Sequence, residues 1–446
     1  MIKQNDALNE KLPIKKLIPL GLQHILAMYA GAVMVPLIVG KSLGLTSEQI
    51  ATIISIDLFV CGLSTLIQVI GIGKFAGIKL PVVLGCSFTA VGPMIIIGKD
   101  FGIGAVYGSI ICGGLFVLII SPLFGKLLKF FPTVVVGSVI TLIGLSLIPV
   151  AINNAAGGIG SPNFGNPKNL AIALFVIIVI VLINKFSNGF MQAISILIGI
   201  VAGTILAYIL GMLDFSSVSN ASFFKFSAIP FTFGKPTFVL SAIITMCLVS
   251  LVSMIESTGV FFATGNIVGK DIKEKDIVKG LRAEGLAQVI GGIFNTFPYT
   301  TFSQNVGVIS LTGVKSKFVV IAAGYMLMIL SFFPKFASLA IIIPAPVLGG
   351  AMIVMFGTVA IAGIRTLSTV DFSNNNNLLV AACSIAVGLG VAVVPGIFGQ
   401  MPQMFKILFE SGIVSGSVTA IILNIVLNWT EIKNSSNNTN IHEDVA

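Results

Sequence analysis

A carboxyl group stands inside a long apolar stretch near the middle of the chain. Glu256 lies in the run LVSMIESTGV, with Ser253 and Ser257 at positions i−3 and i+1. An acid kept within a bilayer-spanning segment is costly and is a functional candidate by default. No lysine or arginine lies nearby in sequence to neutralise it. A carboxyl group can also take up and release a proton, so we interpret Glu256 as a ligand and proton contact; the alternative is a structural bond between helices.

A second acid occupies another apolar segment, GLRAEGLAQVIGG. Glu284 shares one helical face with Gln288 and Asn295, which follow at i+4 and i+11. This polar face indicates a site or a contact between helices. The alternative is a surface salt bridge, because Lys279 and Arg282 are close in sequence and would lie on the cytoplasmic side.

Two adjacent amides, Gln304 and Asn305, follow a break rich in proline and threonine. Together they offer hydrogen-bond donors and acceptors, a pattern that suits a neutral heterocyclic ligand with amide-like edges. Asn305 has an alternative role as the cap of a half-helix, which is compatible with a ligand contact by Gln304. His24 and Asp57 are single polar groups in apolar runs, and we interpret both as hydrogen-bonding partners between helices.

The composition shows what kind of protein must position these groups. Of the 446 residues, 56% are hydrophobic and only 9% are charged. That is too little charge for a soluble surface, so a cytosolic enzyme, a nucleic-acid-binding domain and a disordered protein are excluded. The five cysteines stand singly in apolar runs and there are two histidines. We therefore predict no metal, no cofactor and no disulfide framework, and no enzyme motif such as HExxH or GxSxG is present.

Hydrophobic runs of about 20 residues, the length that crosses a bilayer, predict an all-α polytopic protein with fourteen spans. They lie near 18–39, 49–71, 80–98, 102–123, 131–151, 169–184, 190–210, 237–264, 277–297, 299–314, 317–334, 345–364, 377–395 and 411–429. Spans 3 and 10 are short and polar. With both termini inside, 18 of the 25 lysines and arginines fall in cytoplasmic segments, as the positive-inside rule requires. The tails 1–17 and 430–446 are thus predicted to be cytoplasmic.

The fourteen spans divide into two halves of seven. A Pro-x4-Gly pattern opens span 5 at Pro132 and span 12 at Pro344, an offset of 212 residues. Pro81 and Pro298 precede the two short spans at a similar offset of 217 residues. An odd number of spans per half inverts the second half, as in secondary transporters, whose binding sites lie at short, interrupted segments. We therefore expect the segments 84–92 and 301–307 to form the walls of a binding site.

The segment around the two amides resembles a family signature. It reads Gln304-Asn305-Val-Gly307, then four residues, then Thr312-Gly313. This is similar to the signature of the nucleobase–ascorbate transporters, in which Gln, Glu or Pro precedes Asn-x-Gly, four residues follow, and Thr and then Arg, Lys or Gly end the pattern. Gln23-His24 in the first span matches the Gln-His pair of the family, and the resemblance covers essentially the whole chain. Within the family, the sequence looks most like bacterial xanthine and uric acid permeases.

The resemblance implies a seven-plus-seven inverted repeat with two domains. Residues 18–123 and 237–334 would form a core domain (spans 1–4 and 8–11), and residues 131–210 and 345–429 a gate domain (spans 5–7 and 12–14). It also implies a homodimer and an elevator-like movement of the core, which carries the substrate together with a proton.

The resemblance also implies roles for single residues. Glu256 and Gln304 would bind the base through their side chains, and Ser303 and Phe88 would contribute backbone groups. The family's acid in span 9 corresponds to Glu284; many relatives carry Asp there, so the longer side chain is a departure from the pattern. His24 and Asn305 would support the site and proton coupling. Ser87 occupies a position where relatives differ, and it could tune access for the C8 oxygen that distinguishes urate from xanthine.

These implications predict a transporter rather than an enzyme. We expect a proton-coupled symporter that imports xanthine across the cytoplasmic membrane, because relatives specific for uracil tend to carry Glu at the position of Gln304. Uric acid is the alternative substrate, followed by uracil or another nucleobase. The remaining alternative is an anion carrier of the same fold, since sulfate and bicarbonate carriers share the seven-plus-seven plan.

Overall fold

The computed structural model of the chain describes residues 7–127 and 130–429. The predicted C-terminal tail and the first six residues of the predicted N-terminal tail lie outside them. The longer helices are α1 (Ile14–Ser42), α2 (Ser47–Ile70), α3 (Val91–Phe101), α4 (Ile103–Leu127), α5 (Thr133–Ala155), α6 (Pro167–Phe186), α7 (Ser195–Ile209), α8 (Leu240–Val268), α9 (Glu274–Ile293), α10 (Ser303–Thr312), α11 (Lys317–Leu330), α12 (Pro334–Ile341), α13 (Ala345–Leu367), α14 (Asn375–Val393) and α15 (Gly412–Leu427). Three shorter helices, two 3-10 turns and two strands complete the described elements: Phe190–Ala193, Ser216–Asn220, Gln403–Phe409, Phe88–Ala90, Pro395–Phe398, β1 (Leu84–Cys86) and β2 (Tyr299–Thr301).

The helical, polytopic character of the chain is confirmed. Within the described ranges, eight helices are long and apolar enough to cross a membrane, and the bent pair α11–α12 makes a ninth. Helices α7 and α15 are apolar but shorter. The count of fourteen spans stays a prediction.

Spans 3 and 10 are broken as expected, and each break contains a short strand that the all-α prediction did not include. Strand β1 pairs antiparallel with β2, with Gly85 opposite Thr300 at the centre. Ser87 N donates to Pro298 O at 2.8 Å and Phe302 N to Val83 O at 2.9 Å, which extends the pairing at both ends. Pairing is the physical reason for the strands, because unwound backbone away from water must find its hydrogen bonds within the protein.

The chain divides into two compact units. One comprises Met1–Leu118 and Val150–Met355, and the other comprises Ile119–Pro149 and Phe356–Ala446. Both strands and every residue of the predicted site belong to the first unit. In the second unit, α14 packs on α15. The division into core and gate domains stays a prediction.

Helix α2 is defined by its start and by its packing face. Thr46 and Gln49 form a capping box: Thr46 N donates to Gln49 Oε1 at 2.9 Å, and Gln49 N to Thr46 Oγ1 at 3.3 Å. Farther along, Gly62 packs so closely on α11 that a β-carbon there would lie 2.5 Å from the carbonyl oxygen of Gly324. Small residues allow such close helix contacts in membranes. The cap and the glycine contact together set the position of α2 beside the strand pair.

The predicted span at 317–334 ends earlier than expected. Helix α11 stops at Leu330, and α12 leaves it at an angle of 85°. Pro334 occupies the first turn of α12. A proline has no N–H to donate and restricts the residue before it, so a helix cannot run through this point undisturbed.

Replacement of Gly62 tests the close contact between α2 and α11. We expect Gly62→Ala to lower stability by about 1–3 kcal/mol, because the added methyl group meets the backbone of Gly324. Thermal unfolding of the purified protein in detergent measures the change. Gly357→Ala is the matched control, since Gly357 is also within a helix but a β-carbon there would meet nothing within 4 Å. Equal melting temperatures for the two variants would contradict the contact.

Candidate functional site

Glu256 lies beside the break in span 3. It sits on α8 and is half-buried. Thr89 Oγ1, from the 3-10 turn ahead of α3, donates a hydrogen bond to Glu256 Oε2 at 3.4 Å. One turn earlier on α8, Ser253 Oγ lies 3.3 Å from Ser87 Oγ. Two positions on α8 therefore hold the residues that follow β1.

The same helix also holds the break in span 10. Ser257 Oγ lies 2.8 Å from Thr300 Oγ1 and accepts a hydrogen bond from Thr301 N at 3.3 Å. At the start of α10, Ser303 is exposed and Gln304 is half-buried. Because no side chain caps this helix N-terminus, its first N–H groups are free for a polar ligand. Helix α8 thus connects Glu256 with both breaks.

An aromatic pair accompanies the strands. The rings of Phe88 and Phe302 stack, with their centroids 6.5 Å apart and their planes inclined by 21°. A β-carbon at Gly85 would lie 2.6 Å from the Phe302 ring, so only glycine fits under it. Phe88 is half-buried, and such a ring is a suitable surface for a flat heterocycle.

Glu284 belongs to a layer behind the accessible residues. It is 4% exposed, and its Oε1 accepts a hydrogen bond from Thr301 Oγ1 at 2.5 Å. On the same helix, Gln288 Nε2 donates to Ser250 Oγ at 2.9 Å. The salt-bridge interpretation of Glu284 is wrong within residues 7–127 and 130–429, where the one ion pair joins Lys270 and Asp276.

His24 and Asn305 form a buried contact between α1 and α10. Asn305 Nδ2 lies 3.1 Å from His24 Nδ1 and donates to His24 O at 3.0 Å. The interpretation of Asn305 as a helix cap is wrong, because Phe302 holds that position and Asn305 lies within the first turn. Asn305 instead joins its half-helix to α1. The interpretation of His24 as a partner between helices agrees with this contact.

The predicted ligand residues thus fall into two groups. Glu256, Phe88 and Gln304 are half-buried and Ser303 is exposed, whereas Ser87 is fully buried against Ser253. A direct contact between the Ser87 side chain and a substrate therefore stays a prediction.

Asp57 joins both strands to α2. Its Oδ1 accepts a hydrogen bond from the Tyr299 hydroxyl at 2.6 Å, and its Oδ2 accepts one from Cys86 Sγ at 3.0 Å. Cys61 Sγ lies 3.6 Å from the same Oδ2. The three ligand atoms of Asp57, Cys61 and Cys86 lie within 4.8 Å of one another, close enough to share a metal ion, although here the thiols donate to the carboxylate. Because the cysteines stand singly in the sequence, the grouping of Cys61 and Cys86 around Asp57 was not predicted.

Sequence reasoning missed several hydroxyl groups that position the site. Thr89 contacts Glu256, and Thr301 contacts Glu284. Tyr299 reaches Asp57. These residues could have been predicted from one feature of the sequence. A hydroxyl residue inside a short, proline-flanked break lies away from water, so its side chain must form a hydrogen bond with a neighbouring element.

Comparison with known proteins identifies the family. Residues 15–397 match the sequence model of a permease family, whose name refers to xanthine and uric acid permeases. A xanthine permease of Bacillus subtilis (strain 168) is 54% identical over 413 residues, which are 93% of this chain and 94% of that protein. The uric acid permease PucJ of the same organism is 49% identical over 423 residues, 94% of each chain. The chain belongs to the nucleobase–ascorbate transporter family.

A solved structure shows the same architecture. The transmembrane domain of the cyanobacterial bicarbonate transporter BicA superposes with a TM-score of 0.58 at 15% sequence identity, over 94% of this chain and 100% of that one. At this identity the likeness concerns the fold alone. As a member of a family of permeases with several apolar helices, the chain is a multi-pass membrane transporter and not an enzyme.

Removal of one hydroxyl group tests the Asp57 contacts. We expect Tyr299→Phe to lower stability by about 1–3 kcal/mol, because the buried Asp57 oxygen loses its short hydrogen bond while the ring is kept. Thermal unfolding in detergent measures the change. Tyr325→Phe serves as the control, since Tyr325 is 53% exposed on the apolar surface. If Tyr299→Phe and Tyr325→Phe unfold at the same temperature, the hydrogen bond between Tyr299 and Asp57 does not stabilise the strand pair.

Proposed function

We propose that this chain is a proton-coupled symporter that imports an oxopurine nucleobase, with xanthine as the principal substrate and uric acid as the alternative. One observation carries the proposal: a half-buried carboxyl group, Glu256, lies beside two interrupted spans in a chain that is 54% identical to a xanthine permease. Buried acids at interrupted segments are typical of the substrate and ion sites of secondary transporters.

The accessible residues match the chemistry of an oxopurine. Its ring N–H groups are donors and its carbonyl groups are acceptors. A carboxylate such as Glu256 can accept two N–H bonds, and Gln304 can donate to a carbonyl and accept from an N–H. Phe88 offers a ring against which the flat base can stack. In this arrangement the two side chains hold opposite edges of the base.

Proton coupling is supported by hydrogen bonds that lead from the buried acid Glu284 to Ser257, the residue next to Glu256. Glu284 accepts from Thr301, and Thr301 N in turn donates to Ser257, the residue that follows Glu256 on α8. We assign substrate contact to Glu256, which is accessible, and a supporting proton site to Glu284, which is buried. His24 and Asn305 hold α10 in place beside them.

The proposal extends to topology and movement. The distribution of lysines and arginines supports cytoplasmic termini, and we assign the protein to the cytoplasmic membrane. The core domain, 18–123 and 237–334, would carry the site and move against the gate domain, 131–210 and 345–429. Membership of the family supports this division and a homodimeric assembly.

Replacement of Glu256 tests substrate recognition. We expect Glu256→Gln to abolish xanthine uptake, and to weaken binding to the purified protein about tenfold or more, because an amide N–H replaces a carboxylate oxygen opposite the base. Uptake of radiolabelled xanthine and equilibrium binding in detergent are the two measurements, normalised to the amount of protein in the membrane.

Glu410→Gln is the matched control, because it makes the same chemical change at an acid remote in sequence from the interrupted spans. It should leave both measurements unchanged. Wild-type uptake by the Glu256→Gln variant would remove Glu256 from the binding site.

A further inference from the structure

A cavity lies at the C-terminal ends of α1 and α3. It has a volume of about 580 Å³, within the range of small-molecule sites. Its walls are formed by α1, α3, α5, the loop after α5, and the start of α13. The lining residues include Met34, Lys41, Ile95, Lys99, Asn153 and Asn154.

The charges of this cavity are of one sign. Lys41 and Lys99 line it, together with the amides of Asn153 and Asn154, and no carboxylate is among the lining residues. Both lysines are exposed. Within the described part of the chain the single ion pair lies elsewhere, so neither ammonium group forms an ion pair; Asp100, which follows Lys99, is exposed and is not among the lining residues. Low-dielectric walls with one sign of charge concentrate ions of the opposite sign.

Two of the helices that line the cavity are connected to the candidate site, because α1 carries His24 and α3 follows the turn that holds Phe88 and Thr89. Along α1 the cavity extends from Lys41 back to Met34, about 10 Å at the helical rise per residue. On α3 it extends from Lys99 back to Ile95, one turn from the helix start that follows Thr89. Thr89 is the residue bonded to Glu256. The predicted topology places Lys41 and Lys99 outside the cell, so a solute entering this cavity from outside would pass the lysines first.

We propose that this cavity is an outer vestibule that selects and concentrates the anionic form of the oxopurine substrate through Lys41 and Lys99. The inference rests on the proposed function and adds a preference for the charge of the substrate: a deprotonated oxopurine, such as urate, gains from the lysines, whereas a neutral base does not. A purely structural role is the competing explanation, because each lysine lies in the last turn of its helix, where a cation favours the helix dipole.

The test compares an anionic with a neutral substrate in proteoliposomes made of zwitterionic lipid. Radiolabelled urate and xanthine are used at a mildly acidic pH at which urate is an anion and xanthine is neutral. We expect Lys41→Gln/Lys99→Gln to raise the KM for urate about tenfold at low salt without changing the maximal rate or the KM for xanthine. High salt should reduce the difference, because it screens the lysines.

Two further variants make the result specific. Lys41→Arg/Lys99→Arg keeps the charge and should behave as the wild type. Lys168→Gln/Lys235→Gln removes two other exposed lysines that are also predicted to lie outside but do not line the cavity, and it should change neither KM.

Each remaining outcome overturns the inference. Three results would show that the lysines do not select substrates by charge. They are an equal rise of KM for both substrates, an unchanged KM for urate, and a rise of the urate KM that does not depend on salt concentration. An effect that appears only when anionic lipid is added would assign the lysines to lipid headgroups. If the wild type takes up neither substrate, the proposed function fails as well. If the wild type transports both substrates and the Lys41→Gln/Lys99→Gln variant transports them equally well, only the vestibule proposal is contradicted.

Discussion

The arrangement of the site depends on the antiparallel pairing of two three-residue strands. Strand β1 belongs to the first half of the chain and β2 to the second, and Gly85 lies opposite Thr300 between them. Each strand is followed by polar residues: Ser87 and Thr89 after β1 and, beyond Phe302, Ser303 to Asn305 after β2. Unwound backbone within a membrane protein must satisfy its hydrogen bonds internally. The pairing meets that requirement and, by the same bonds, brings the two halves of the site together.

The pairing is stabilised by side chains from three helices. Asp57 of α2 accepts hydrogen bonds from one residue on each strand, Ser257 of α8 bonds to β2, and Glu284 of α9 bonds to the last residue of β2. Asp57, Ser257 and Glu284 therefore each have a partner on another element, which is the condition under which buried polar groups specify one arrangement rather than weaken it. A site built in this way is already shaped before a ligand arrives.

The sequence was informative where one residue alone breaks the local pattern. Glu256 and Glu284 stand out as acids in apolar runs, and Pro81 and Pro298 mark the two interrupted spans. The contacts that position them were not predictable in the same way. Asp57 and Tyr299 are 242 residues apart in the chain, and nothing local in either segment specifies the other. Ser87 is a polar residue in the break, but the strand pairing directs its side chain toward Ser253. This orientation depends on the strand register, which cannot be read from the residue types alone.

The register of the strand pair also separates partly exposed from buried side chains in the site. Phe88, Glu256 and Gln304 are partly exposed, whereas Glu284, His24 and Asn305 are buried. Under the proposed function, the first set of groups would bind the base and the second set would hold a proton. Movement of the strand pair and its helices as one body would keep both sets together.

The central claim is that the bound base and a proton cross the membrane together. The most direct measurement is uptake of radiolabelled xanthine by cells that lack purine permeases and express this chain, with and without a protonophore, and with uric acid or uracil as competitor. The account predicts accumulation that the protonophore collapses, that excess uric acid reduces and that uracil leaves unchanged. Absence of uptake, or accumulation that persists when the proton gradient is collapsed, would contradict it.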